Sequence, residues 1–282
     1  MKKLNLKFFL FAVVASTIFS GCRRDKENVG PKDTAAQENS EDYTLAANDF
    51  YNIDQDLDDA YQQGGSNART EEAFCGNLSF TGNTSGTTPG FFGGYKMFSI
   101  NYAGGNCDSL VRSGNLTIYH QGTIANKNFK DSVVFNGYKI DNRIINGYRV
   151  SKINAAQTDE NTLAFDIVTN TNISFVDGKS IQWNTKRLRK HINYQTALSY
   201  VQVTGSGDLQ GKQGGRYTLR IEDPIIIRRS CIRGYRFPVS GKLILSNTTN
   251  ATSASIDYGN GVCDRLATLK GFNGNTYVYF MR

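Results

Sequence analysis

Few residue types in this 282-residue chain could perform chemistry unaided, and their spacing argues against most of it. The two histidines, His120 and His191, stand 71 positions apart and lack the i, i+4 spacing of a zinc-binding helix. No G-x-S-x-G elbow, phosphate-binding loop or dinucleotide fingerprint occurs. Local acidic groupings are limited to Asp159, Glu160 and Asp166, and to Glu222 beside Asp223. Adjacent strand residues face opposite sides, so neither grouping makes a converging carboxylate pair. Asp257–Asp264 lacks the dense carboxylates and bidentate Glu of a calcium loop and reads as a Gly-rich turn beside a cysteine. No catalytic residue, cofactor or metal is expected, and the protein reads as a non-enzyme.

Binding chemistry is better represented. Lys186, Arg187, Arg189, Lys190 and His191 follow Trp183, and Arg228, Arg229, Arg233 and Arg236 interleave with Tyr235 and Phe237. Guanidinium groups beside aromatic rings suit an anionic or saccharide ligand. Trp183, Arg187, Arg189, Arg233 and Tyr235 are the candidate ligand-binding residues. The competing reading makes the same charges a solvated strand face that opposes edge aggregation.

Chemistry of a different kind is written at the N-terminus. Lys2, Lys3 and Lys7 precede an apolar stretch of 12 residues, Phe8 to Phe19. That is shorter than the ~20 residues needed to span a bilayer but suits a signal peptide. Phe19-Ser20-Gly21-Cys22 resembles the lipobox of bacterial lipoproteins, with Phe19 where Leu is usual. The resemblance implies cleavage before Cys22 and acylation of its thiol and amino groups. Three acyl chains, at ~0.8 kcal/mol per buried CH₂, make a permanent membrane anchor. Arg23, in place of the Asp that retains lipoproteins in the inner membrane, points to the outer membrane, on its periplasmic face or at the cell surface. An exported protein of this kind meets glycans and envelope proteins rather than nucleic acid.

The remaining cysteines, Cys75, Cys107, Cys231 and Cys263, are even in number and include no C-x-x-C, which in an exported chain favours disulfides. They also mark an internal repeat. Cys75 to Cys107 and Cys231 to Cys263 each span 32 positions. At a constant offset of 156, Ser99, Ile100, Tyr102, Gly105, Asp108 and Leu110 match Ser255, Ile256, Tyr258, Gly261, Asp264 and Leu266. Related units at 75–119 and 231–275 follow. With a turn at Asn247–Asn250 and another near Thr88-Pro89-Gly90, the pairing Cys75–Cys107 and Cys231–Cys263 is expected; the symmetry also permits pairing between units.

Charge divides the chain. Residues 23–72 carry 5 basic and 13 acidic side chains, whereas residues 73–282 carry 24 and 12. The acidic part reads as a solvated tether. Residues 1–21 form the signal peptide, 22–44 the tether, 45–72 a helix and linker, and 73–282 the disulfide-braced β domain. The helix rests on apolar steps of three and four from Leu45 to Tyr61. From Cys75 onward, short runs of Val, Ile, Thr, Tyr and Phe alternate with Gly and Asn. About fourteen strands with short links follow, among them 162–168, 171–176, 179–184, 216–222 and 224–230. Val176-Asp177-Gly178-Lys179 reads as a hairpin turn with both central residues at positive φ, and Asn136-Gly137 and Asn146-Gly147 as turns or bulges. The expected class is all-β: an antiparallel meander forming a sandwich or open barrel, with one N-terminal helix. Asp33-Thr34-Ala35, Asp108-Ser109-Leu110 and Asp131-Ser132-Val133 also fit bacterial O-glycosylation patterns.

Ser99–Leu110, Arg112–Thr117, Asp177–Thr185 with Arg187 and Arg189, and Asp257–Asp264 resemble a family of Gram-negative outer-membrane lipoproteins with a two-repeat β body and no assigned activity. The resemblance runs from about residue 45 to 282. It implies location and architecture and leaves chemistry open. The expectation is a lipid-anchored envelope protein of structural or accessory role, with a glycan- or anionic-ligand-binding module as the alternative.

Overall fold

The computed structural model describes residues 33–63, 76–81, 97–107, 110–194, 196, 198–228, 231 and 237–281. Cys22, the first part of the tether and Cys75 lie outside the described residues, as do Arg233 and Tyr235. One helix, α1 (Thr34–Gln63), precedes β1 (Asn77–Thr81), β2 (Met97–Cys107), β3 (Leu110–Gln121), β4 (Lys130–Ile140), β5 (Arg143–Ile153), β6 (Thr162–Phe175) and β7 (Ser180–Ile192). β8 (Tyr200–Gln210), β9 (Arg216–Arg228), β10 (Pro238–Asn247), β11 (Ser253–Asn260), β12 (Leu266–Lys270) and β13 (Thr276–Phe280) complete the chain. Among the described residues, these thirteen strands pair in sequence order in one antiparallel sheet, as the meander reading expected. β1 and β13 are its edges.

The helix is longer than its apolar spacing suggests. It begins at Thr34, so residues 34–44, expected to be tether, are helical. The Asp33 Oδ1 accepts the Ala36 amide at 3.0 Å, a side-chain cap that satisfies one of the four unpaired donors of the first turn. The Asp33-Thr34 pair is therefore the start of the helix. The same aspartate reaches across the fold: its Oδ2 accepts the Asn273 amide at 3.0 Å, and its own amide donates to the Tyr277 hydroxyl at 3.0 Å.

The sheet curls around α1. Successive residues Asp54, Gln55, Asp56 and Leu57 are all buried, which no helix lying on a flat surface achieves. Its polar contacts come from β2, β3, β5, β7, β9 and β13, spread across nearly the full width of the sheet. The result is an open trough with a helix along its bore. The core is formed where Tyr43, Phe50 and Tyr61 meet inward rings of the strands. Phe50 stacks on Trp183 at 6.3 Å and 7°, and meets Phe135 edge-on at 5.9 Å.

Strand periodicity explains which residues turn inward. In β2, Phe98, Ile100 and Tyr102 are buried, and in β11 so are Ala254, Ile256 and Tyr258. The repeat is structural as well: β2 and β11 begin 156 positions apart, at Met97 and Ser253, as β3 and β12 do at Leu110 and Leu266. Cys231 and Cys263 form a disulfide, with Cα atoms 5.1 Å apart, joining the β9–β10 and β11–β12 connections. Several strand boundaries differ from expectation. β6 and β9 are each one strand where two short ones were expected, and β7 runs on through the basic cluster. Asn136-Gly137 is a bulge in β4 and Asn146-Gly147 lies within β5, tied by the Gly137 amide donating to the Asn146 Oδ1 at 2.8 Å. The β6–β7 turn forms as expected, but only Gly178 takes positive φ, at 81°, and Asp177 does not.

Two expected outcomes follow from this packing. Cys231→Ser, unfolded in urea without reductant, is expected to lose about 3–4 kcal/mol, since the bridge closes a loop with a separation of 32 residues. Arg143→Met, which strands the buried Asp49 carboxylate, is expected to cost about 3–5 kcal/mol, and adding Asp49→Leu to restore most of it.

Candidate ligand pocket

α1 carries eight carboxylates and no basic residue. Arginines from the concave face of the sheet meet them. Arg143 grips Asp49 with two bonds, Nε to Oδ2 at 2.9 Å and Nη2 to Oδ1 at 2.8 Å. Asp56 pairs with the Arg112 Nε at 3.2 Å and accepts the Tyr102 hydroxyl at 2.8 Å. Asp54 pairs with the Arg149 Nε at 2.7 Å, and Asp58 accepts the Arg189 Nη2 at 2.9 Å. Asp42 takes the Lys212 backbone amide at 2.8 Å and its ammonium at 3.0 Å.

The local reason is an inversion of the usual strand polarity. Arg112, Arg149, Arg187 and Arg189 point inward and are buried, while Val111 and Tyr148, next to Arg112 and Arg149 in the chain, are outward and exposed. An inward arginine needs a compensating group: α1 supplies carboxylates to Arg112, Arg149 and Arg189, and the Tyr51 ring to Arg187. Burial pushes the Asp49 carboxyl above its usual range despite the Arg143 charge, and does the same to Asp131 despite Arg149. For Arg149 burial opposes the charge, yet Asp54 and Asp131 together hold its pKa above the ordinary value.

Beyond Leu57 the helix leaves the trough only partly filled, and a cavity of about 470 Å³ opens between β4, β5, β6, β7 and β8. That volume lies within the range of small-molecule sites. Its floor is polar, with Asp58, Asp131, Arg149, Arg189 and His191. Its walls are aromatic: Tyr61 meets Phe129 edge-on at 5.2 Å, Phe129 meets Phe165 at 5.8 Å, and Phe165 meets His191 at 6.1 Å. Tyr194 and Tyr200, half-buried, stand at the mouth. Within the floor, Asp131 accepts the Tyr61 hydroxyl at 3.0 Å on Oδ2 and the Arg149 Nη1 at 3.1 Å on Oδ1. The Tyr61 hydroxyl is held well above its ordinary pKa by burial and by the Asp131 charge, so it stays a proton donor. Among the described residues no cluster of His, Cys, Asp and Glu is arranged to hold a metal ion.

The candidate residues from the sequence are divided by this geometry. Arg189 lines the pocket. Trp183 is 1% exposed and lies against Phe50 and Tyr43, so its ring offers no face to a ligand. Arg187 is buried with its guanidinium 5.8 Å from the Tyr51 ring. The solvated strand face expected for Arg187 and Arg189 is likewise absent, because α1 covers it. The two acidic groupings stay apart from the pocket: Glu222 pairs with Lys242 at 2.7 Å, and Asp166 accepts the Asn154 amide nitrogen at 3.1 Å. Asp58, Tyr61, Asp131 and Arg149 were not singled out from sequence. The available signal was Arg149 set between Tyr148 and Val150, a charged residue on the face opposite two apolar ones. No family model, curated protein or solved structure matches the chain.

His120 provides a pH readout behind the pocket wall. It sits 5.0 Å from the Phe129 ring and 5.8 Å from Tyr61, and burial lowers its pKa below the ordinary 6.5. The unfolded chain therefore takes up the proton first. Its contribution to stability is complete above 6.5 and is lost as pH falls through that value toward the folded pKa. In chemical denaturation, the stability of the parent protein relative to His120→Phe is expected to decline between pH 7 and pH 5, with no decline between pH 8 and pH 7.

Proposed function

We propose that this chain is a lipid-anchored binding protein of the bacterial cell envelope, holding a small molecule in the mouth of its β trough without catalysing a reaction on it. The pocket carries the reading: a cavity of about 470 Å³ with aromatic walls and converging polar groups. Anchoring rests on the lipobox at Cys22 and on the resemblance to outer-membrane lipoproteins. The two fit together spatially. Cys22 precedes the helix cap at Asp33 by eleven residues, a reach of at most ~40 Å. The 30 residues of α1 then run ~45 Å toward the pocket end. A ligand would enter from water, away from the lipid.

Of the guanidinium groups that suggested an anionic ligand, Arg187 faces α1, Arg189 lines the pocket while pairing with Asp58, and Arg233 lies outside the described residues. The glycan alternative moves from Trp183 to the pocket. A structural or accessory role in a larger envelope assembly is a second reading, favoured by the convex face, where the register partners Val134 and Tyr148 are 39% and 45% exposed.

Metabolic labelling with palmitate is expected to mark the chain and to fail with Cys22→Ser. The labelled protein, released from membranes and examined by native mass spectrometry, is expected to carry a bound small molecule that Leu163→Trp expels. A folded parent protein that carries no small molecule would overturn the binding reading.

A further inference from the structure

Each carboxylate and guanidinium at the pocket floor already has its counter-ion. Asp58 takes two bonds from Arg189, Nη2 to Oδ2 at 2.9 Å and Nη1 to Oδ1 at 3.4 Å. Asp131 takes the Arg149 Nη1 on Oδ1 at 3.1 Å and the Tyr61 hydroxyl on Oδ2 at 3.0 Å. The Arg149 Nε is spent on Asp54, which does not line the cavity, at 2.7 Å. The charges of Asp58, Asp131, Arg149 and Arg189 therefore form two ion pairs along the cavity wall. His191 Nε2 lies 3.8 Å from the same Asp58 oxygen that Arg189 holds. A charged ligand of either sign would give up its water and find these partners taken.

One neutral polar group is left over. Ser151 of β5 lies across from Asp131 on β4 and Ile167 on β6, and it lines the cavity. It is 2% exposed, and its hydroxyl makes no hydrogen bond to any described residue. Among the described residues it is the one buried polar side chain of the lining that lacks such a partner. A hydroxyl both donates and accepts, and burying it without a partner is costly. Around it the lining is apolar, with Ile124, Phe129, Leu163, Phe165 and Val201. From this combination we infer that the pocket takes an uncharged ligand: an alcohol or carbonyl compound on an aromatic or aliphatic body, its oxygen bonded to the Ser151 Oγ and its body against the ring walls. The inference rests on the pocket being a binding site, and adds to that reading the class of ligand and the residue that selects it.

Three probes of nearly equal shape separate the ligand class from the pocket itself. The full-length lipidated chain in phosphatidylcholine nanodiscs, with empty discs as the reference, would be dialysed against 2-phenylethanol, 2-phenylethylamine and phenylacetate at pH 8.5, about two units above the ordinary histidine pKa. The alcohol is expected to bind at least about tenfold more tightly than either ion, because neither ion recovers its lost hydration. Ser151→Ala removes no hydrogen bond from the fold and should weaken the alcohol by about threefold to tenfold, the worth of one hydrogen bond. Ser151→Thr, which keeps the hydroxyl, should retain the alcohol. Tighter binding of the amine or the acid would overturn the uncharged assignment, as would alcohol binding that Ser151→Ala leaves unchanged; either result leaves the pocket intact as a site. Retention of none of the three would overturn both.

Discussion

An acidic helix cannot be buried in a β sheet unless the sheet brings opposite charge to its buried carboxylates, and that requirement organises this molecule. The carboxylates of Asp42, Asp49, Asp54 and Asp56 would repel one another and resist leaving water. The concave face answers with Arg112, Arg143, Arg149 and Arg189, each within 3.2 Å of a helix aspartate. Replacing such pairs with apolar residues often leaves stability unchanged, whereas breaking one is severe. Their value lies in register. Asp49, Asp54, Asp56 and Asp58 each meet a different strand or level of the trough, so a helix displaced by one turn would break these pairings together. The aromatic contacts of Phe50 and Tyr61 supply the bulk of the burial, and the ion pairs decide where that burial occurs.

The same constraint generates the pocket. α1 fills the trough only as far as its last turns, while the strands continue past it. Where Leu57 and Tyr61 end the helix's contribution, aromatic residues of the sheet close around a space that none of the described side chains fills. The charged residues at its floor belong to the register network, with one face toward the helix and one toward the cavity. The pocket and the fold thus share Arg149, Arg189, Asp58 and Asp131, and a variant at any of them alters both at once.

The repeat gives the architecture its two ends. β2–β3 and β11–β12 occupy equivalent stretches of sequence and turn the same Ile-x-Tyr face inward, yet they stand near opposite edges of one sheet. The Cys231–Cys263 bridge joins neighbouring connections at the pocket end of the trough, opposite the capped end of the helix. The capped end is tied separately, by Asp33 to Tyr277 and Asn273 and by Asn39 to Tyr217 at 2.8 Å. A helix fixed at its start by hydrogen bonds and along its length by ion pairs acts as the axis about which thirteen strands curl.

Much of the β architecture is local and was therefore legible. Alternating Val, Ile, Thr and aromatic residues, with Gly and Asn at the breaks, dictate antiparallel strands in chain order, and the equal cysteine spacing exposes the repeat and the Cys231–Cys263 partner. The helix was visible only from Leu45, because the residues before it are polar, and a polar helix is indistinguishable from a solvated tether until something basic is known to face it. Trp183, Arg187 and Arg189 looked like a ligand surface for the same reason: alternation tells which residues share a face, but not whether that face meets water or a helix 130 residues earlier in the chain. That choice is made by long-range electrostatics. Once the sheet curls, the acidic segment and the basic face neutralise each other in the interior, and the apolar residues between the arginines turn outward.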